Sequence, residues 1–208
     1  MEKKKQVRKC GHRCHIHGSA DSCVYNFIEN LFKTNLKNSN MKKYVLMIST
    51  TFPSTHRRKG EHTNFIYKIG RTFGLFNETK LPPDFPEAKL HTIRNNYKLW
   101  RKRFDEIERG EAYLSLRYWR GKPRQKGSKQ IEIAKLTKKN GIGLQRLKNP
   151  QNPLFAEITN NIDDPKVTCV DWWDVAKNDG LLLEDFEDWF KDDSNESKAV
   201  IWFNDKRY

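Results

Sequence analysis

EAYLSLRYW, residues 111–119, sets Ala112, Leu114, Leu116 and Tyr118 against Tyr113, Ser115, Arg117 and Trp119. A strict period of two sends these sets to opposite faces of a strand, one fit for a core and the other mixing aromatic and polar side chains. Downstream, RGKPRQKGSK (residues 120–129) is a basic Gly/Pro turn leading into QIEIAKL, and GIGLQRL is a further short strand. A meander is expected. Upstream, YKLWRKRFDEIERG places Leu99, Phe104 and Ile107 near helical spacing and stops at Gly110, which predicts an amphipathic helix.

Further out, MKKYVLMIST from Met41 is rich in strand formers. In TFPSTHRRKGEHTNFIYKIGR, Thr63 is placed to cap a short helix that carries Phe65, Ile66 and Ile69 inward. Three prolines in residues 79–88 exclude regular helix or central strand there. LFAEI and KVTCV read as strands, WWDVAKNDGLLLEDFEDWF as two short helices broken at Asp179–Gly180, and AVIWF as a closing strand. Short strands with small helices between them predict an α+β fold, a compact mixed β-barrel with short peripheral helices, over residues 41–208. Trp172, Trp173, Trp189, Trp202 and the Cys169 thiol are expected in its core.

Residues 1–40 read as a basic N-terminal extension, poorly ordered. Cys10, Cys14 and Cys23 lie there beside His12, His15 and His17. Thiolate and imidazole are zinc ligands, yet the spacing fits no zinc pattern and no second paired half follows, so no metal is expected. His62 and His91 lack partners for a metal set and read as surface or loop residues. No P-loop, dinucleotide fingerprint, HExxH or serine nucleophile elbow occurs, and no cofactor is implied. With no apolar run of the roughly 20 residues that a membrane helix needs, and no apolar stretch behind the N-terminal MEKKKQVRKCGH, a cytoplasmic protein without a membrane partner is expected.

The formal net charge is +14. Residues 89–150 hold 18 Lys and Arg against 5 Asp and Glu, whereas residues 162–208 hold 6 against 13. A basic middle favours polyanionic partners, because each phosphate neutralised releases condensed counterions. Arg57 and Arg58 in HRRKG, and Arg120, Lys122 and Arg124 in the 120–129 turn, are candidates for a nucleic-acid backbone cradle.

Three segments, KLHTIR (residues 89–94), GEAYLSLRYWRGKP (residues 110–123) and AKNDGLLLEDFEDWF (residues 176–190), in this order and spacing, resemble the ASCH domain, the activating signal cointegrator homology branch of the PUA-like superfamily. The resemblance covers residues 44–208. It implies a PUA-like β-barrel whose cleft lies beside the KxxTxR segment and takes RNA or a nucleoside. Some ASCH proteins are amidohydrolases that remove an acyl group from N4-acylated cytidine, and ribonuclease activity has been attributed to others. Their working Lys and Thr match Lys89 and Thr92 here; the third position, a Glu in that family, falls on Asp179, one methylene shorter.

For such chemistry a neutral, desolvated Lys89 amine would take the Thr92 hydroxyl proton, with Asp179 positioning both. Residues three apart in a flat strand face opposite ways, so Lys89 and Thr92 converge only across a turn. Arg94 is the expected contact to a phosphate or base edge. Arg117 would share that cleft, and Trp119 and Tyr113 beside it offer stacking surfaces for a base. A binder of RNA or a nucleoside is the first reading, an amidohydrolase the second, and a protein-interaction module using the acidic C-terminal helices the third.

Overall fold

The computed structural model describes residues 41–76, 78–148, 150, 152–191 and 196–208. The expectations on residues 1–40 lie outside them. The first strand, β1 (Lys42–Ile48), runs parallel to β3 (Ala112–Arg120), pairing Lys42 with Ala112 and Ile48 with Tyr118. A parallel pair needs a long crossover. Here the crossover carries α1 (Phe65–Thr72), β2 (His91–Arg94) and α2 (Tyr97–Glu108). The basic turn at residues 120–129 then returns the chain antiparallel as β4 (Lys129–Leu136), with a register shift at Leu116/Arg117.

The remaining strands are β5 (Gly143–Leu147), β6 (Ala156–Thr159), β7 (Thr168–Val170) and β8 (Lys198–Trp202). Two helices, α3 (Trp172–Asn178) and α4 (Leu183–Phe190), precede β8. The fold is α+β, with four helices and two sheets among the described residues: β1-β3-β4, and an antiparallel β2-β8-β5-β6-β7. The strands form two sheets, with no closed barrel among the described residues. The expected meander also ends after β4, because β5 leaves to pair with β8, Gly143 opposite Trp202.

The alternation in residues 111–119 holds: Ala112, Leu114, Leu116 and Tyr118 are buried. Helix α2 turns Tyr97, Trp100, Phe104 and Ile107 into the core and packs between the sheets, against β3 on one side and β5 and β8 on the other. Leu99, expected inside, is 42% exposed, because the buried stripe runs through Tyr97, Trp100, Phe104 and Ile107 instead. Phe65, Ile66 and Ile69 of α1 are buried as expected. Thr63 Oγ1 accepts from the Phe65 amide at 3.3 Å, although Asn64 is the cap residue. Cys169 is exposed, since it sits on the outward position of the edge strand β7. Trp202 is buried, but Trp173 is 53% exposed: neighbouring helical residues point about 100° apart, so Trp172 and Trp173 cannot both face the core.

Candidate functional site

The KLHTIR segment is gripped from both sides before β2 begins. The Lys89 amide donates to the Lys68 carbonyl of α1 (3.1 Å), and the Leu90 amide to the Asn178 carbonyl at the end of α3 (2.8 Å). Helix α3 starts on Asp171, whose carboxylate accepts from the Trp173 amide at 2.7 Å. It ends in a paired cap, Gly180 N–H to Lys177 O and Leu181 N–H to Ala176 O, both 2.9 Å. Gly180 has φ +77, a conformation that a side chain disfavours.

That cap aims Asp179 at the segment. Lys89 Nζ lies 3.0 Å from Asp179 Oδ2, also donates to the Asp179 backbone carbonyl, and sits 4.1 Å from the centroid of the Phe65 ring. Asp179 Oδ1 accepts from the Ile93 amide at 3.1 Å and lies 3.5 Å from His91 Nδ1. His91 Nε2 meets the Tyr208 hydroxyl at 2.7 Å, and Asn178 Nδ2 donates to that hydroxyl at 3.1 Å. Lys89, His91, Thr92 and Asp179 are all buried. His91 is therefore a core residue, not a loop residue, because inward alternation in β2 carries it there with Ile93.

Burial lowers the Lys89 pKa to about 8 against the pull of Asp179, so the amine is still mostly charged at neutral pH. Burial resists ionisation of Asp179, but Lys89 and His91 outweigh it and hold the carboxyl below its usual range. Burial likewise lowers His91. A cation beneath the last turn of α3 also suits the negative end of the helix.

Two of the three expected catalytic groups, Lys89 and Asp179, are thus in contact. Thr92 is not joined to them: it alternates to the other face of β2, and no hydrogen bond links its hydroxyl to either group. Arg94 also departs from expectation. Its guanidinium is half-buried and donates to the carbonyls of Ile93 (2.9 Å) and Met47 (2.7 Å), tying β2 of one sheet to β1 of the other. Burial lowers its pKa, with Asp179 opposing.

The HRRKG loop is likewise not an open cradle. Arg57 and Arg58 contact opposite oxygens of Asp185 at 2.8 and 2.7 Å, and the Arg57 amide donates to Asp188 at 2.5 Å. This basic loop and the acidic face of α4 neutralise one another. Arg117 bonds Ser115 Oγ (2.8 Å) and Glu132 (3.2 Å) on the outer face of β3, half-buried like Tyr113 and Trp119. Arg120, Lys122 and Arg124 are exposed at the 120–129 turn.

A cleft of about 390 Å³ opens over Gly180, the residue that follows Asp179. Arg58, Lys68, Trp173 and Lys177 line it together with the carboxylates of Glu87 and Asp185, and no KLHTIR residue does. Lys68 Nζ donates to the Gly180 carbonyl at 2.6 Å, and no carboxylate lies within ion-pair distance of it among the described residues. Burial lowers its pKa and Arg58 adds to the effect, against the pull of Asp179, Asp185 and Glu87. At the rim, Lys177 Nζ sits 4.8 Å from the Trp173 ring centroid and 3.6 Å from Glu87. The sequence signal for Trp173 was the WW pair itself; Lys68 gave none, since FIYKIGR reads as an ordinary amphipathic helix. Among the described residues, no group of His, Cys, Asp and Glu is arranged to hold a metal ion. No helix among them is long and apolar enough to cross a membrane. In comparisons with known proteins, the chain matches no family model, no curated protein and no solved structure.

Proposed function

We propose that this chain binds RNA or a nucleoside through one nucleotide unit seated in the cleft over Gly180, with Trp173 against the base and Lys68 meeting the phosphate. The observation that carries this reading is Lys68. Its ammonium is half-buried at the cleft wall, donates to the Gly180 carbonyl and forms no ion pair among the described residues, although Glu87 and Asp185 line the same cleft and Arg58 and Lys177 engage them. A cation without a direct ion pair in a concave site, where both lining carboxylates are already engaged by Arg58 and Lys177, favours an anionic guest, and the half-exposed indole supplies a flat apolar surface for a base. The cleft volume falls in the range of small-ligand sites, roughly 300–1,000 Å³. Of the ASCH-like segments, residues 176–190 contribute Lys177, Gly180 and Asp185 to this cleft while KLHTIR and residues 110–123 contribute none; in this reading the fold is a PUA-like variant whose two sheets take the place of a closed barrel.

The amidohydrolase reading has less support. It needs a neutral Lys89 amine in contact with the Thr92 hydroxyl, whereas Lys89 is engaged by Asp179 and its hydrogen-bonding capacity is directed away from Thr92. The ribonuclease and protein-interaction readings gain no specific observation, and the acids of α4 are largely spent on Arg57 and Arg58.

Isothermal titration with cytidine and adenosine monophosphates tests the assignment. Lys68→Ala should weaken monophosphate binding roughly 10- to 100-fold, the worth of a charge-assisted hydrogen bond, and should leave binding of the free nucleosides nearly unchanged. Equal affinity of Lys68→Ala and the parent protein for the monophosphates would remove Lys68 from the site. Release of acetate from N4-acetylcytidine, lost in Lys89→Ala, would revive the hydrolase.

A further inference from the structure

The cleft leaves unused a basic surface outside it, the face of the small sheet turned away from the core. Strand register places Lys43 beside Tyr113, Met47 beside Arg117, and Trp119 beside Gln130 on this face. The opposite positions, Leu114, Leu116 and Tyr118, are buried, so the direction of the outward set is fixed by the pleat. Ser115 and Glu132 hold the Arg117 guanidinium flat against the sheet at 2.8 and 3.2 Å. Lys135 Nζ lies 5.9 Å from the centroid of the Tyr113 ring. The half-buried Trp119 ring has no ring or cation stacked on it among the described residues.

The same surface runs on into the turn between β3 and β4. Within RGKPRQKGSK, Arg120, Lys122, Arg124, Lys126 and Lys129 are exposed, and the segment contains no Asp or Glu. Glu132 is the one acid that β3 and β4 contribute, and Arg117 engages it. Two aromatic rings on one strand, six residues or about 20 Å apart, bracket a hydrogen-bonded guanidinium, and a row of exposed cations continues past the second ring.

From this juxtaposition we infer that the outer face of β1-β3-β4, together with the 120–129 turn, is a platform for single-stranded nucleic acid. Bases stack on Trp119 and Tyr113, and the basic turn follows the phosphates. A duplex hides its base faces and cannot use the rings, so the occupant is single-stranded. The platform stands independently of the cleft, shares no residue with it, and predicts binding that grows with strand length where the cleft predicts binding of a single nucleotide.

The test is fluorescence anisotropy of the full chain with a labelled oligouridylate of about 12 nucleotides, within the ~4–16 that single-strand modules cover, at several salt concentrations. A duplex RNA of the same length serves as comparison. Exchange of Lys122→Gln, Arg124→Asn and Lys126→Gln together should reduce the slope of log affinity against log salt by about 2, at ~0.7 per lost phosphate contact. Asparagine suits residue 124, whose φ is +63. Trp119→Ala should weaken the oligomer roughly 5- to 150-fold, the span of one stacked base. Both variants should bind a nucleoside monophosphate as the parent does, and circular dichroism should show the fold intact. Unchanged oligomer binding in either variant overturns the platform, as does equal affinity for the duplex. Loss of monophosphate binding in Lys68→Ala with the platform variants intact concerns the cleft alone.

Discussion

Lys89 Nζ stands 3.0 Å from Asp179 Oδ2 with both side chains almost wholly withdrawn from water, 1% and 6% exposed. The pair joins the entry of β2 to the last turn of α3, next to Gly180, which lines the cleft. Its charge is committed to holding the fold.

Removing one partner leaves a buried charge uncompensated, which costs about 3–5 kcal/mol. Lys89→Met should therefore destabilise the protein by that order in urea denaturation. Asp179→Asn keeps an oxygen for the Ile93 amide but strands the ammonium. The double variant should lose clearly less than the two single losses combined, since each removes the penalty left by the other. Strict additivity would mean that the two groups do not depend on each other.

His91 supplies a pH dependence with a defined sign. Burial sets its folded pKa below the 6.5 of a free imidazole. Below that pH the unfolded chain takes up a proton that the folded chain refuses, so stability falls as the solution is acidified. Asp179, whose pKa is lowered from 3.8, adds its own loss only in a more acidic range. His91→Gln retains a partner for the Tyr208 hydroxyl and removes the titration. Unfolding free energies at about pH 7.5 and about pH 5 should differ less in this variant than in the parent protein. An equal difference would exclude His91 as the source.

Gly180→Ala should destabilise the chain by about 1–2 kcal/mol, the cost of a side chain in the left-handed conformation. Contact adds to this, because a Cβ there would lie 3.1 Å from Lys89 Cβ and 3.2 Å from Lys68 Cδ. The same push displaces the Lys68 ammonium, so thermal unfolding and monophosphate titration should both respond. A variant as stable as the parent would show that the cap of α3 relaxes freely.

Local pattern carried much of the architecture. The alternation in EAYLSLRYW gave the two faces of β3, the break at Asp179–Gly180 separated α3 from α4, and Gly110 stopped α2, because strand pleat, helix period and glycine conformation act over a few residues. The resemblance to the ASCH domain also brought Lys89 and Asp179 under suspicion together, and they do meet. Thr92, expected beside them, and Arg94, expected on a phosphate or base edge, fell elsewhere: no hydrogen bond joins Thr92 to Lys89, and two backbone carbonyls claim Arg94.

What the sequence by itself determined was the α+β character, most elements and the basic, aromatic outer face of β3, since each follows from spacing within one segment. Only the tertiary structure decided that β5 joins β8, that Asp185 binds Arg57 and Arg58, and that Lys68, Trp173 and Gly180 share a cleft. Those relations join residues more than 50 positions apart in β5–β8 and more than 100 apart in the other two. Long-range pairing of this kind is selected by the closing of the whole core and leaves no periodic trace in the chain.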